Sequence, residues 1–574
     1  MQETLPANRT EGHTDWQRVN WRAANRRVRN LRQRIFRATQ QGDWDKVQSL
    51  QRLMLRSYAN TLVSVRRVTQ VNQGKKTAGV DKLVVKTPAA RGRLVDHLMT
   101  CQPWKAHPAK RVYIPKANSK RRPLSIPTVL DRCLQARVKN ALEPSWEARF
   151  ERTSYGFRPG RSCHDAIAKI VLLANARSRK RWIVDADIKG AFDNISQDHI
   201  LAAIGSFPAR EVIKQWLKAG YVEKSVWHAT ESGTGQGAVV SPLLANIALH
   251  GMEEALGVAY NNQGGVISRR AVVRYADDFA VFCESREDAE QTVEILKGWL
   301  AERGLVFSED KTRIVPITDG FDFLGFTIRL LKQPRTRTGY RLRVTPSKDA
   351  EREMRQHLKE EWLQLAGCNV GVIVGRLNPL IRGWATYFRL GRCRPTFNRL
   401  DHWMHHREKW YARKRHPSKP TGWRRRRYWG RLKPGSADRW VFGDTRTGIY
   451  LLKFGWFTLH KHALVRGTAS PDDPRLREYW TARKAQHAQL LTPSRQKLAA
   501  TQGYVCRVCG DALVNGEELH EHHIQPRSQG GDNSYANLEL VHLYCHQQIH
   551  GKDTPLDYAP AHEPTRRWLR PWLA

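Results

Sequence analysis

Two acidic residues stand side by side in Arg274-Tyr275-Ala276-Asp277-Asp278-Phe279, with apolar β-type runs on either side. The pattern predicts a β-hairpin with a carboxylate pair at its tip. Setting two carboxylates between hydrophobic strands is costly unless a cation pairs with them. A further acidic group closes the β-type run Ile183-Val184-Asp185-Ala186-Asp187, and Phe192 follows five residues on. Carboxylates on neighbouring strands can hold two Mg²⁺ ions roughly 3.5–4 Å apart, which is what nucleotidyl transfer needs. One ion activates an attacking 3′-oxygen, and the other holds the triphosphate and leaving group. Each piece alone has a plainer reading, as a surface turn or as a helix cap at a strand end.

A second chemical set lies near the end of the sequence. Cys506-Arg-Val-Cys509-Gly510 has the spacing of a zinc-knuckle turn. Downstream come His520, His522, His523, Asn537, His542, Cys545, His546 and His550. A helix there places His546 and His550 one turn apart on one face. Cys506, Cys509 and Cys545, with or without His542, suit a structural tetrahedral zinc site. That single-site reading leaves His522, His523, Asn537, His546 and His550 without a role. Two metal sites account for all of them.

The elements that must position these groups belong to a long, basic chain. Its 574 residues suggest roughly three to five folded units. Apolar residues make up 40%, enough for real cores, and the net charge is +43. A surface that basic expects polyanions, with nucleic acid far ahead of a ribosomal or membrane-surface role. The 20 Trp fit stacking on bases. No run of about 18 apolar residues is present, so no membrane partner is expected. Residues 1–14 lack a signal-peptide core. The cysteines are sparse apart from the C-terminal set, which argues for a reducing compartment, the cytoplasm.

Along the chain, Asp15 is placed to cap a helix with the stripe Val19, Val28, Leu31 and Ile35. After Gly42, Asp43 caps a second with Val47, Leu50, Leu53, Met54, Leu62 and Val65. Short β-type runs at 111–114, 182–185, 271–274 and 279–282 alternate with helical stretches at 131–142 and 289–303. Residues 347–410 read as helical. The basic stretch 414–433 holds Arg424 to Arg427, with Trp423, Tyr428, Trp429 and Trp440 interleaved or close by. That mixture favours a folded nucleic-acid surface over solvated coil. A Cys/His-rich module follows from about residue 504.

Taken together, the two carboxylate pieces resemble the palm of reverse transcriptases, and the other segments of that family follow in order. Ile114 to Pro127, with Lys116 and Arg122, resembles the fingers segment that grips the triphosphate. Ser154 to Ser162 resembles the template-contacting segment. Gly233-Thr-Gly-Gln236-Gly237-Ala-Val-Val-Ser241-Pro242 resembles the glycine-rich loop behind the nucleotide. Ser308 to Thr312 and Phe321 to Phe326 resemble the last palm motifs. The resemblance implies Asp187 and Asp277 as Mg²⁺ ligands, with Asp278 supporting. It implies Phe192 as the gate against a ribose 2′-hydroxyl, Lys116 and Arg122 on the triphosphate, Gln236 on the nucleotide and Lys311 on the pyrophosphate. One departure stands out. Where the family's loop reads Gly-Thr-Pro-Gln-Gly-Gly, this chain has Gly235 and Ala238, so an active and more flexible loop is expected.

Residues 377–388, with Ile381, Trp384, Tyr387 and Phe388 on one stripe, resemble the thumb, or maturase region, of bacterial group II intron-encoded proteins; the stripe itself reads as core. Residues 77–81 resemble the N-terminal extension of group II intron and related enzymes. The C-terminal set resembles an HNH, or ββα-metal, endonuclease. There His522, His546 and His550 would bind a divalent metal, His523 would be the base and Asn537 would orient it. Cys506, Cys509, His542 and Cys545 would hold structural Zn²⁺; His542 is the odd member, because many relatives have Cys there.

The resemblance therefore implies a multidomain α+β protein built on a right-hand polymerase: a basic helical extension (1–76), fingers (77–180), a palm with an antiparallel sheet (181–335), a helical thumb (336–412), a basic DNA-binding region (413–495) and an HNH module (496–574). The implied partners are group II intron RNA, a double-stranded DNA target and dNTPs, in a bacterial cytoplasm at the nucleoid. The implied activity is RNA-directed DNA synthesis, maturase function and DNA nicking. Two other readings share these residues: a domesticated reverse transcriptase, for instance in defence, and an RNA chaperone with an inactive polymerase. The HNH set and thumb speak against the first, and the three aspartates against the second.

Overall fold

The computed structural model describes residues 13–100, 104–115, 121–489 and 491–551. Lys116 lies outside the described residues.

The N-terminal arm is helical, with its caps moved from the expected places. Asp15 caps only a short turn, Trp16–Arg18; Asn20 accepts from the Ala23 amide and starts α1 (Trp21–Gln40). Asp43 caps α2 (Trp44–Arg56) as the spacing predicts. The expected long second helix breaks at Ser57, whose backbone is extended (φ −69°, ψ 121°) and whose hydroxyl accepts from Asn60 N to begin α3 (Tyr58–Arg66). Leu53 is 44% exposed, while Leu50 and Met54 on the inner face of α2 are buried. These helices pack with α4 (Pro88–Thr100) and α5 (Val129–Glu147), the latter capped by Thr128.

In the segment expected to form the fingers, β1 (Ala109–Pro115) pairs antiparallel with β2 (Arg121–Ile126). Helix α6 (Cys163–Leu173) leads to β3 (Trp182–Asp187). Strands β4 (Tyr221–Glu223) and β5 (Val226–His228) complete the fingers sheet in the order β2-β1-β4-β5. The palm sheet has the order β6-β7-β3-β8, with β6 (Ala271–Tyr275), β7 (Asp278–Cys283) and β8 (Arg313–Pro316). Every pairing in it is antiparallel. Val272, Val273, Phe279, Val281 and Phe282 are all buried, so both faces of β6 and β7 are covered, with Arg274 the one charge buried among them.

Strands β9 (Phe321–Phe323), β10 (Phe326–Lys332) and β11 (Tyr340–Pro346) form a further sheet. It continues the β-structure past residue 335, where the palm was expected to end. Three helices follow, Lys348–Gln364, Val370–Phe388 and Arg394–Arg415. Ile381, Trp384, Tyr387 and Phe388 are all buried, so that stripe is core.

The basic stretch is folded by helix Thr421–Tyr428 and the small pair β12 (Trp429–Gly430) and β13 (Val441–Phe442). Tyr428 and Trp429 face inward as core, whereas Trp440 is exposed. At the end, β14 (Leu519–His523) pairs with β15 (Leu538–His542), and helix Leu543–His550 follows. This module packs back on the N-terminal arm: Val28, Leu31 and Val65 share one core with Cys506, Cys509, Leu540 and Cys545.

Candidate polymerase and nuclease sites

Register decides where the palm carboxylates meet. Asp187 stands directly opposite Asp278 across β3 and β7, and Tyr275 opposite Asp278 across β6 and β7. Only Ala276 and Asp277 remain for the turn. Ala276 sits in the left-handed region (φ 59°), a conformation that costs about 1–3 kcal/mol for a non-glycine residue and needs support. The support is close by. A Cβ on Gly156 would lie 2.4 Å from Ala276 N, so the template segment can lie against the turn only because residue 156 is glycine. Arg274 is 1% exposed; it donates to Asn246 Oδ1 (3.1 Å) and Ala276 O (3.3 Å) and faces Glu151 at 3.6 Å. Asn246 in turn donates to Gly156 O (2.8 Å). Asn246 and Glu151 were not singled out from the sequence, and Arg274 and Gly156 stood in quoted segments without a role of their own. The available signal was an arginine inside an otherwise apolar strand, which needs buried partners.

The site is short of positive charge. Desolvation, then repulsion from Asp277 and Asp187, pushes Asp278 up to about 7. Asp277 is raised by burial first, with Asp187 adding to it and Arg122 and Lys311 opposing it. Lys311 bonds Asp187 directly, and Arg313 pairs with Asp185 at 3.0 Å. Three converging carboxylates answered by one ammonium form an oxygen donor set suited to a hard divalent cation.

Phe192 is 9% exposed and packs edge-on against Phe157, with ring centroids 6.1 Å apart. Its carbonyl accepts from Thr234 N (2.8 Å), tying Phe192 to the glycine-rich loop. The Gln236 carbonyl accepts from Ser125 N (2.6 Å), linking that loop to the fingers. Its side-chain Oε1 is buried without a partner in the protein. Gly235 has φ +66°, which a proline ring cannot adopt, so the loop departs from its usual path where the sequence departs from the family pattern.

In the C-terminal module, Cys506, Cys509, His542 and Cys545 are all buried, with ligand atoms within 4.8 Å of one another. His542 Nδ1 faces Cys509 Sγ at 3.3 Å, and its Nε2 reaches Ala512 O at 3.1 Å, which fixes the ring. The residue that looked out of place by type is thus inside the cluster, and the donor set fits zinc. His522, His546 and His550 form a second group at the same spacing. His522 Nδ1 is buried without a partner. Burial first, then the neighbouring imidazoles, lowers His522 and brings His546 down to about 4, a shift that favours the neutral, metal-binding form.

His523 Nε2 bonds Asn533 Oδ1 at 2.9 Å. Asn537, expected to orient His523, is engaged elsewhere. Its side-chain oxygen accepts from Gln525 N (2.7 Å), and its side-chain nitrogen donates to Gln525 O (3.1 Å) and Asp532 O (2.8 Å). It closes the loop that carries Asn533, so its effect on His523 is indirect. The turn dipeptide Gly530-Gly531 ahead of Asn533 was the signal that this loop bends back.

Comparison with known proteins adds four domain matches. Residues 114–328 match Reverse transcriptase (RNA-dependent DNA polymerase), and 16–98 match the N-terminal domain of reverse transcriptase. Residues 351–429 match the Group II intron, maturase-specific domain, and 506–552 match HNH endonuclease. The chain is 33% identical to Protein YkfC of Escherichia coli over 51% of its own length and 85% of that protein. It is 34% identical to the Group II intron-encoded protein LtrA of Lactococcus lactis over 39% of its length, spanning about half (47%) of LtrA. An uncharacterized 91 kDa protein in the cob intron of Schizosaccharomyces pombe is 28% identical over 50% of this chain and 44% of that one. With the palm carboxylates, the buried thumb and the ββα module falling inside the matched segments, the chain belongs to the group II intron-encoded proteins that join reverse transcriptase, maturase and HNH endonuclease domains.

Proposed function

We propose that this protein binds its group II intron RNA, assists its splicing, nicks a double-stranded DNA target and extends the exposed 3′ end by copying the intron RNA. The observation that carries the reading is the palm register, with Asp187 opposite Asp278 and Asp277 at the turn between β6 and β7. Asp187 and Asp277 hold Mg²⁺, with Asp278 supporting. When bound, two Mg²⁺ ions activate the primer 3′-oxygen and stabilise the leaving pyrophosphate. Phe192 blocks a ribose 2′-hydroxyl. Arg122, with Lys116 beyond the described residues, neutralises triphosphate charge, and Gln236 positions the nucleotide. Lys311, held on Asp187, steadies the pyrophosphate. In the nuclease, His522, His546 and His550 hold a divalent cation, and His523 takes the proton from water. Cys506, Cys509, His542 and Cys545 hold structural Zn²⁺. The +43 charge supports binding of both a large RNA and a DNA duplex, in the bacterial cytoplasm at the nucleoid.

Primer extension on an RNA template with Mg²⁺ and dNTPs tests the palm. Wild type is expected to synthesise DNA, and Asp277→Ala to lose at least about 100-fold of that rate. Equal rates would remove the metal role of Asp277. Absence of synthesis by wild type, even with intron RNA supplied, would favour a binding protein with an inactive polymerase.

A further inference from the structure

The zinc knuckle does not stand alone at the end of the chain; it rests on the N-terminal helices. Arg66, the last residue of α3, is 6% exposed and donates from Nη2 to Cys545 Sγ at 3.0 Å. Its guanidinium lies over the Trp21 ring (4.7 Å) and 3.9 Å from Glu517. Around this contact, Asn25 donates to Cys509 O (2.9 Å) and Asp511 Oδ2 (2.8 Å). Gln548 donates to Gln17 O and Val19 O, both at 2.9 Å. A sequence separation of 479 residues is thus closed onto a ligand atom of the metal cluster.

The charge balance explains what this contact does. Three thiolates and one neutral imidazole around Zn²⁺ leave one net negative charge in a buried site. Such a site needs a cation or hydrogen-bond donors around its sulfurs. The cation bonded to Cys545 does not come from the module itself. We propose that Arg66 of the N-terminal extension is the outer partner of the Cys506/Cys509/His542/Cys545 zinc site, so that zinc binding fastens the C-terminal knuckle to the helices that lead into the polymerase. Arg66 is a positioning residue: it holds the Cys545 thiolate and offsets its charge without binding zinc. The inference rests on the zinc reading of the knuckle given above.

The test uses the full-length chain. Zinc release is titrated with a chelator in wild type, Arg66→Ala and Arg66→Lys, and Co²⁺-substituted protein reports thiolate ligation by its absorption. Hydrogen exchange at residues 21–29 and 58–66 is compared in wild type before and after zinc removal. Arg66→Ala is expected to give up zinc at a chelator concentration about 10–100-fold lower, and Arg66→Lys to fall between, keeping charge but losing the fork geometry. Zinc removal from wild type is expected to speed exchange at 58–66. If wild type holds zinc and Arg66→Ala releases it at the same chelator concentration, the Arg66 role is overturned while the knuckle stands. If wild type holds no zinc, both are overturned. If Arg66→Ala does not fold, the wild-type comparison decides, and unchanged exchange at 58–66 overturns the proposal.

Discussion

Gly235 sets the path of the glycine-rich loop by one dihedral angle. At φ +66° it allows Ser241 Oγ to bond the Gly235 carbonyl at 3.0 Å, and the Gln236 side-chain oxygen is left without a partner in the protein. Proline at this position would demand φ near −65°. Gly235→Pro, although it restores the family's usual residue, is therefore expected to slow primer extension about tenfold or more by displacing Gln236. A rate equal to wild type in single-turnover extension would show that the loop takes either path. A similar division of labour separates the two asparagines of the nuclease loop. Asn533 touches the His523 ring, whereas Asn537 satisfies the backbone of Gln525 and Asp532. Asn533→Ala is expected to lower nicking with the loop intact. Asn537→Ala removes bonds to exposed backbone groups of Gln525 and Asp532, at a cost of about 0.5–1.5 kcal/mol each, and should also open residues 524–537 to protease. Equal protease sensitivity in the two variants would contradict that assignment.

Helix α6 shows how an element is locked between palm and thumb-side structure. Its Asp165 belongs to a capping box with Ser162 and is fully buried. The other carboxylate oxygen accepts from His462 (2.9 Å), Val465 N (2.8 Å) and Arg483 (3.1 Å). Burial alone would raise this carboxyl, but His462, Arg483 and Ser162 outweigh it and hold it near 2. A carboxylate depressed in the fold contributes stability above its unfolded value near 4, and that contribution fades as pH falls towards 2. Asp165→Asn is expected to cost about 3–5 kcal/mol near neutral pH, because it leaves Arg483 buried without its partner. The gap in urea midpoint between variant and wild type should narrow from pH 4 downwards; a constant gap would count against the linkage. At this scale the sequence was uneven. The positions of Asp187, Asp277 and Asp278 could be read because the apolar β-runs beside them predict a strand end and a hairpin tip, which is where the register sets them. The break at Ser57 could not, because the apolar spacing of α2 runs on into α3. The β10–β11 hairpin was also missed, although Phe326, Ile328 and Leu330 alternate inward, because Arg341 and Arg343 give β11 the look of a basic loop.

Across the whole molecule, what the sequence could not convey is which distant segments meet, since a charge that reads as solvated may be paired hundreds of residues away. Arg32 is such a case: one of many arginines in a basic arm, it is 13% exposed and fully engaged. Its guanidinium donates to both oxygens of Asp472 (2.9 and 2.7 Å) and to Glu143 at 2.8 Å. Those carboxylates belong to the segment before the nuclease and to α5 of the fingers, so one side chain joins α1 to both. Asp472 is 4% and Glu143 7% exposed, so neither can be rehydrated without moving a segment. Removing the cation strands two buried carboxylates, and Lys139 beside Glu143 at 3.4 Å answers only one of them. Arg32→Ala is therefore expected to destabilise the protein by about 3–5 kcal/mol. Arg32→Lys should recover only part of this, because an ammonium cannot grip Asp472 with two parallel bonds. Thermal unfolding followed together with protease cleavage near residue 472 separates the outcomes. Loosening at 472 before the palm melts would place Arg32 as the tie between the two ends of the chain. A single unchanged transition in Arg32→Ala would mean that the shared apolar core holds those ends together without it.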